Sequence, residues 1–392
     1  MPGPHRQLTL RQARDHILER SFASDGPALV GLEAEWLSVA TDDPAAPVPF
    51  DQLQGAIEGI GPLPGGSTVT WEPGGQLELS TPPAPAVGGA CAALAADLAA
   101  VGPVAEGAGV ALAGIGIDPV RPPQRVVDTP RYAAMEAFFA VDGDHGRRMM
   151  CSTAALQVNV DASHRWELAH AVGPALAAAF ANSPLVDGTP TGWKSTRMET
   201  WWAIDPSRTA PARSDWADYA LAARVMLVRD DPGFVPVCKP LPFAAWVENG
   251  HELGHPGVDD LDYHLTTLFP PVRARSWLEV RYLDAVPDPW WRAAATVVSA
   301  LLIDDEAGAH ATRAVAGTED LWAEAARVGL EHEGLAGAAR SCFQAALDAG
   351  PRVGADPTSL DVTAEYADRF VARGRSPADE LLDDWEMSWT SD

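Results

Sequence analysis

Glu33 and Glu35 stand two residues apart in the alternating run "GLEAEWL", so in an extended chain both carboxylates point to one face. In "TWEPGGQLELS", Glu72 and Glu78 flank the turn Pro73-Gly74-Gly75 and could face each other across a hairpin. In "LQVNVD", Gln157, Asn159 and Asp161 alternate with Leu156, Val158 and Val160. In "WLEVRYL", Glu279 and Arg281 alternate with Leu278, Val280 and Tyr282. Taken singly, each run fits a half-exposed sheet with solvated charges. Solvated strand faces normally mix Thr, Lys and Arg, however, and acids are poor strand formers. Four strands with Glu, Gln and Asn on one face therefore point to a site. Clustered carboxylates repel one another unless cations compensate, and hard oxygen-ligated ions, Mg²⁺ or Mn²⁺, suit them best. Such a cluster commonly bridges nucleotide phosphates, and Arg281 beside Glu279 could touch one of them. The chemistry suggested is phosphoryl transfer on an open sheet.

Other motifs compete. "HELGH" (251–255) matches H-E-x-x-H, which on a helix supplies two zinc ligands and a general base. Gly250, Gly254 and Pro256-Gly257 instead predict a polar loop. Arg197, in "GWKSTRMETWW", could bind a carboxylate bidentately, although a lone loop arginine is usually a surface residue. Arg147 and Arg148 are read with the same caution. Trp193, Trp201, Trp202, Trp290 and Trp291 are expected mostly in the core, with some lining a pocket. Cys151 reads as a small packed residue.

The elements that must position these groups follow from periodicity and punctuation. A helix is expected over 5–22, a strand over 28–40, a short helix near 51–58, a hairpin around 73–75 and a helix over 88–101. "VALAGIGID" and "CSTAALQVNVD" read as strands, with a helix over 129–141 between them. A helix over 166–181 precedes a long loop at 184–212. A helix over 216–228 precedes a loop-rich segment to about 259. "SWLEVRYLD" is the last clear strand. Helices are then expected over 290–304, 318–330, 336–348, 359–373 and 377–386, the last capped by Ser376-Pro377. The pattern predicts an α+β fold with an antiparallel sheet. The segment 184–212 or 229–260 is a candidate for a lid that keeps water from the site.

Composition bounds the function. The 392 residues are 47% hydrophobic and 21% charged, which is ordinary for a globular chain. The net charge is −26 and no basic stripe is visible, so nucleic acid and acidic membranes are not expected partners. Lys194 and Lys239 are the only lysines, and no lysine-bearing phosphate loop exists. Cys91, Cys151, Cys238 and Cys342 are scattered and predict reduced thiols. The first 22 residues carry charges without an apolar signal core, and a cytoplasmic location is expected.

Together "GLEAEW", "EPGGQLELSTPP", "LQVNVD", "FANSPLVDGTPTGWKSTRMETW", "LTTLFPPVRARSWLEVRYLD" and "LLIDDE" resemble the plant-type glutamate–cysteine ligases. Among them they most resemble the actinobacterial branch serving ergothioneine synthesis. The resemblance runs over about 28–306, and 307–392 form a less diagnostic helical part of one catalytic domain. It implies a glutamine-synthetase-like curved antiparallel sheet forming a cup, with helices behind. It implies ATP- and Mg²⁺-dependent joining of the L-glutamate γ-carboxyl to the L-cysteine amine. By resemblance Glu33, Glu35, Glu72, Glu78 and Glu279 are the metal-binding acids, and Glu279 and Arg281 are the catalytic pair. Gln157 and Asn159 lie on the strand lining the substrate cup. Arg197 with Thr196 of the "S-x-R" segment, and Arg148, are implied substrate contacts, and Arg281 is the phosphate-facing arginine.

Overall fold

Alternation in "VGLEAEWLSVA" builds a single long strand, β1 (Val30–Ala40), at the centre of the sheet. The computed structural model describes residues 8–22, 28–212, 215–230 and 233–390. The remaining strands are β2 (Thr68–Trp71), β3 (Leu77–Ser80), β4 (Val110–Ala113), β5 (Ala155–Val160), β6 (Leu185–Val186), β7 (Thr189–Pro190), β8 (Leu227–Asp230), β9 (Gly233–Pro236), β10 (Val272–Ala274) and β11 (Leu278–Asp284). The main sheet runs β10-β11-β5-β1-β3-β2, with β4 also paired to β1. Every pairing between these strands is antiparallel, as the α+β reading requires. β6-β7 and β8-β9 are separate two-stranded ribbons.

One face of the sheet is apolar. Leu32, Ala34 and Trp36 of β1, Leu156 and Val158 of β5, and Val280 and Tyr282 of β11 are all buried. They pack into one core with the helices Val87–Gly107, Gly173–Ala179, Trp291–Ile303, Glu333–Ala349 and Pro357–Arg369. The C-terminal helices thus share their core with the sheet. This burial of period-2 strand faces against helical stripes is the main stabilising term. The helix Val87–Gly107 is long and apolar enough to cross a membrane. Here it packs against its neighbours in that core, and Val87, Cys91, Leu94 and Val101 are fully buried in it.

A second core forms where the helices Leu10–Ser21, Trp216–Ala222, Phe243–Asn249 and Val258–Leu265 meet. Arg208 pins the segment that follows the last of these. Fully buried, it donates to the carbonyls of Thr267 (2.7 Å) and Arg224 (2.5 Å) and pairs with Asp205 (2.9 Å).

Several elements differ from expectation. The stretch 184–212 is not a long loop: it holds the β6-β7 ribbon and the helices Thr196–Trp202 and Pro206–Thr209. Ser195 and Asp205 cap these two helices, accepting from the N–H groups of Met198 and Ser207. The segment to 259 holds β8, β9 and the helix Phe243–Asn249. A helix, His145–Ser152, occupies the start of the expected strand at Cys151. The helix expected over 88–101 runs on to Gly107 with Pro103 inside it. The helix over 166–181 is divided at Val172. Residues 5–7 of the expected first helix lie outside the described residues; the helix begins at Leu10, with Thr9 as its cap.

Candidate active site

The polar face of the sheet brings the acids together by register. Glu35 lies opposite Glu78 of β3, and Glu33 opposite Gln157 of β5. Asn159 lies opposite Glu279 of β11, which lies opposite Arg273 of β10. Glu72 follows β2 and enters from the turn, whose Gly75 N–H bonds the Glu72 carbonyl at 2.8 Å. The β11–β5 pairing is irregular between Val280 and Leu283, and this bulge displaces Arg281 from a plain ladder position. Its guanidinium reaches Gln157 Oε1 and stands 3.3 Å from Glu279.

These groups surround a cavity of about 200 Å³. Glu33, Glu35, Glu72, Glu78, Gln157, Arg273 and Arg281 line it, and Trp201 and Phe269 close one side. Arg131 and Tyr132, from the first turn of the helix Pro130–Phe139, form another wall. Burial, reinforced by mutual repulsion, pushes Glu35, Glu72 and Glu78 each up to about 7 and raises Glu33 as well. Hydrogen bonds hold them apart. Glu35 accepts from the Ala155 N–H (2.8 Å) and Gln157 Nε2 (3.1 Å), Glu33 from Asn159 Nδ2 (3.0 Å), and Glu78 from Thr70 Oγ1 (2.6 Å). Glu279 differs. Burial alone would raise its carboxyl, but Arg273 and Arg281 hold it down at about 2. Arg273 grips it bidentately, with one bond of 2.8 Å.

The donor set is made only of oxygens and carries unbalanced negative charge, which fits a hard divalent cation. Among the described residues, no three acidic, histidine or cysteine side chains gather tightly enough to hold one ion alone. The four glutamates line one cavity without forming a closed cage. An open set of that kind leaves coordination positions to phosphate oxygens and water, the way Mg²⁺ is usually held.

Other expected site residues lie elsewhere. Glu279 is fully buried behind the lining, so its contact is with the arginines of the wall. Asn159 faces a second cavity, which shares Glu33 with the first. Arg197 is buried below the site, donating to the Arg281 carbonyl (2.8 Å) and standing 3.5 Å from Asp284. It lines only a narrow crevice next to Arg281 and Trp201. Thr196 is buried and bonded to Thr191 (2.6 Å), away from both cavities. Arg148 stands 3.8 Å from Asp187 and lines neither cavity, while Arg147 pairs with Glu136 at 2.9 Å. Of the tryptophans, Trp201 lines the cavity and Trp290 and Trp291 are core.

Arg131, like Arg273, is a cavity cation that strand patterning missed. The available signal was the helix start: Thr129 caps and Pro130 leads, which puts Arg131 in the first turn. Its Nε is buried with no hydrogen-bond partner, and its charge lowers Glu72. The "HELGH" segment is a tight turn. His251 and Gly254 exchange backbone hydrogen bonds of 2.8 Å in each direction, and Gly254 has φ +98°. Its histidines share no helix face, so the zinc geometry is absent there.

Comparison with known proteins identifies the family. The family model "Glutamate-cysteine ligase family 2(GCS2)" matches residues 29–390. "Glutamate--cysteine ligase EgtA" of Mycolicibacterium smegmatis is 43% identical over 95% of this chain and 90% of that protein. EgtA of Mycobacterium tuberculosis H37Rv is 42% identical over 96% and 91%. The chloroplastic glutamate–cysteine ligase A of Oryza sativa subsp. japonica is 30% identical over 71% and 63%. A crystal structure of glutamate–cysteine ligase (gshA) from Francisella tularensis in complex with AMP has the same fold. Its TM-score is 0.54 at 13% identity, over 93% of this chain and 85% of that one. Over nearly its whole described length, this chain belongs to glutamate–cysteine ligase family 2.

Proposed function

We propose that the chain joins the γ-carboxyl of L-glutamate to the amine of L-cysteine, with ATP as co-substrate, to give γ-glutamylcysteine for ergothioneine synthesis. The observation that carries this reading is one cavity in which four half-buried glutamates face Arg131 and Arg281. The EgtA similarity supports the choice of acceptor and pathway. We also read residues 1–392 as one catalytic unit, since the C-terminal helices and the sheet share a core.

A carboxylate is a poor electrophile, so it must first be activated. An oxygen of the glutamate γ-carboxylate attacks the γ-phosphorus of ATP, the bond to the ADP oxygen breaks, and a γ-glutamyl phosphate results. The cysteine amine then attacks the acyl carbon, and inorganic phosphate leaves as the amine gives up a proton. Arg281 faces the transferring phosphoryl group and offsets its charge. Gln157 and Glu279 fix the position of that guanidinium. Arg131 offers a guanidinium to the amino-acid carboxylate. Trp201 and Phe269, each with its ring centre within 6 Å of the Arg281 guanidinium, keep water from that side. Mg²⁺, or Mn²⁺, held by Glu33, Glu35, Glu72 and Glu78 would neutralise phosphate charge. Glu279 joins that set only by giving up Arg273, and we assign it to positioning. We assign the same role to Arg197, under the Arg281 backbone.

The test is ADP release with ATP, Mg²⁺ and L-glutamate, with and without L-cysteine, followed by mass spectrometry of the product. Cysteine-dependent release with a γ-glutamylcysteine mass is the expected result. Release that follows another amine overturns the acceptor, and no release with any amine overturns the reaction.

A further inference from the structure

The bulge that aims Arg281 leaves that residue's own peptide group off the ladder. The β11–β5 pairing stops after Val280 and resumes at Leu283 and Asp284, opposite Leu156 and Ala155. A buried peptide group without a partner is destabilising, so the groups of Arg281 must bond elsewhere. Its N–H donates to the Pro271 carbonyl at 2.9 Å. Its carbonyl accepts from Arg197 Nη2 at 2.8 Å. A side-chain guanidinium thus stands in for the missing strand partner, and whatever holds that guanidinium also holds the bulge.

Asp284, further along β11, is what holds it. Both side chains are buried, and Arg197 Nη1 stands 3.5 Å from Asp284 Oδ1. Burial lowers the guanidinium and raises the carboxyl, and in each case the partner's charge is the main opposing influence. The carboxylate also gathers the chain around it. It accepts from the Asn182 N–H (2.9 Å), Ser183 Oγ (2.6 Å) and Ser195 Oγ (2.8 Å). Ser183 Oγ in turn accepts from the Arg197 N–H at 3.1 Å. Ser195 caps the helix Thr196–Trp202, which carries both Arg197 and Trp201. Gly116 makes room for this cluster, since a Cβ there would lie 2.6 Å from Asp284 Cγ. Asp284 lines neither cavity nor the crevice beside Arg281, so it reaches the reaction only through other residues.

Resting on the ligase reading above, we propose that Asp284 is a positioning residue for the phosphoryl-facing arginine. It fixes Arg197 under the bulge, Arg197 fixes the Arg281 carbonyl, and the Arg281 side chain keeps its aim at the transferring phosphoryl group. Through Ser195, the same carboxylate sets the helix that places Trp201 against that guanidinium. Asp284 touches no substrate in this arrangement, so its loss is felt in the chemical step and not in substrate affinity. A shift of about 1 Å in a positioned group can slow a reaction about a hundredfold.

Steady-state kinetics of ADP release test this, with melting temperatures measured beside them. Asp284→Asn keeps an oxygen for the serine hydroxyls but cannot balance Arg197. Its kcat should fall about tenfold or more, with KM for ATP and L-glutamate within about threefold of wild type. Arg197→Met should give the same pattern. Because the two residues act as a unit, the double variant should be no slower than the slower single one, whereas independent losses would multiply. Ile57→Ala, a core truncation in the helix Phe50–Glu58, controls for lost stability. It should lower the melting temperature and leave kcat within about twofold. Multiplying losses in the double variant would show that Asp284 acts apart from Arg197, and would overturn the proposal. A raised KM for L-glutamate with kcat retained would overturn it too, because the pair would then be holding substrate. Should Asp284→Asn fail to fold, Ser195→Ala carries the test, since it loosens the carboxylate without touching its charge. A kcat equal to wild type in that variant would overturn the proposal. In each of these cases wild-type turnover leaves the ligase reading standing. No ADP release by wild type with any amine would remove that reading, and this inference with it.

Discussion

Glu279 and Glu72 belong to the same polar rim and end in opposite electrostatic states. Glu279 is matched by Arg273 and Arg281 and is held at about 2, whereas burial and the neighbouring Glu78 push Glu72 up to about 7. Their substitutions should therefore separate stability from activity. Glu279→Gln leaves the buried guanidinium of Arg273 and the partly exposed one of Arg281 short of a counter-charge, which costs up to about 3–5 kcal/mol. It also frees Arg281 to move, so kcat/KM should fall about a hundredfold or more. Urea unfolding and ADP-release kinetics check both losses. Retained ligase activity would remove Glu279 from the mechanism. Glu72→Gln removes one repelling carboxylate and should instead stabilise the metal-free protein, on the order of 1 kcal/mol. The same change should abolish turnover and reduce the rise in melting temperature caused by Mg²⁺. A metal-free variant less stable than wild type would mean that Arg131 already balances Glu72.

At the scale of elements, the turn between β2 and β3 is the part most exposed to a single methyl group. A Cβ on Gly74 would lie 2.1 Å from the Cys151 carbonyl oxygen, and backbone does not yield cheaply there. Gly74→Ala should force the turn away from the helix His145–Ser152 and swing Glu72 out of the cavity. The expected result is a loss of about 1–3 kcal/mol in unfolding free energy, with KM and kcat both worsened. Normal kinetics in that variant would show that Glu72 does not depend on the turn's fit. This turn was legible in the sequence because Pro-Gly-Gly punctuates two alternating runs. The strands that carry the site's polar side chains were legible for the same reason: period 2 is local, and it fixes which face each side chain takes. Arg131 was not, because helical periodicity does not say which neighbouring element the first turn faces. The roles of Arg197 and Glu279 were not readable either. Sequence placed them near the right elements, but burial under Arg281 and the bidentate grip of Arg273 arise from non-local pairing. The segment 184–212 misled because Gly, Pro and Trp mask short helices that are held by Ser195 and Asp205 caps and by tertiary contact.

Across the whole molecule, two histidines shielded from water take up protons less readily in the folded chain than in the unfolded one. His264 is fully buried in the second core, with Nε2 donating to the Ala220 carbonyl at 2.9 Å and Nδ1 unpartnered. Burial, aided by nearby Arg208 and opposed by Asp205, pushes it down to about 3. His170 stacks edge-on against Trp166, and burial pushes it down to about 4. Both are neutral in folded and unfolded chains above their ordinary value of 6.5. As pH falls below 6.5, the unfolded chain takes up protons and the folded one does not, so stability is lost until the folded values are reached. Each histidine contributes a slope of up to about 1.4 kcal/mol per pH unit in that window. Glu35, Glu72 and Glu78 act in the other sense. Their raised folded values mean that protonation between about 7 and 4.5 favours the folded, metal-free state. A single stability curve therefore mixes the two, and a difference isolates the histidine. His264→Gln keeps a donor for the Ala220 carbonyl but cannot charge. Between pH 7.5 and 5, its urea-unfolding free energy should decline less steeply than that of wild type, by the equivalent of about one proton. Parallel curves for the two proteins would mean that His264 takes up its proton without unfolding the core around it.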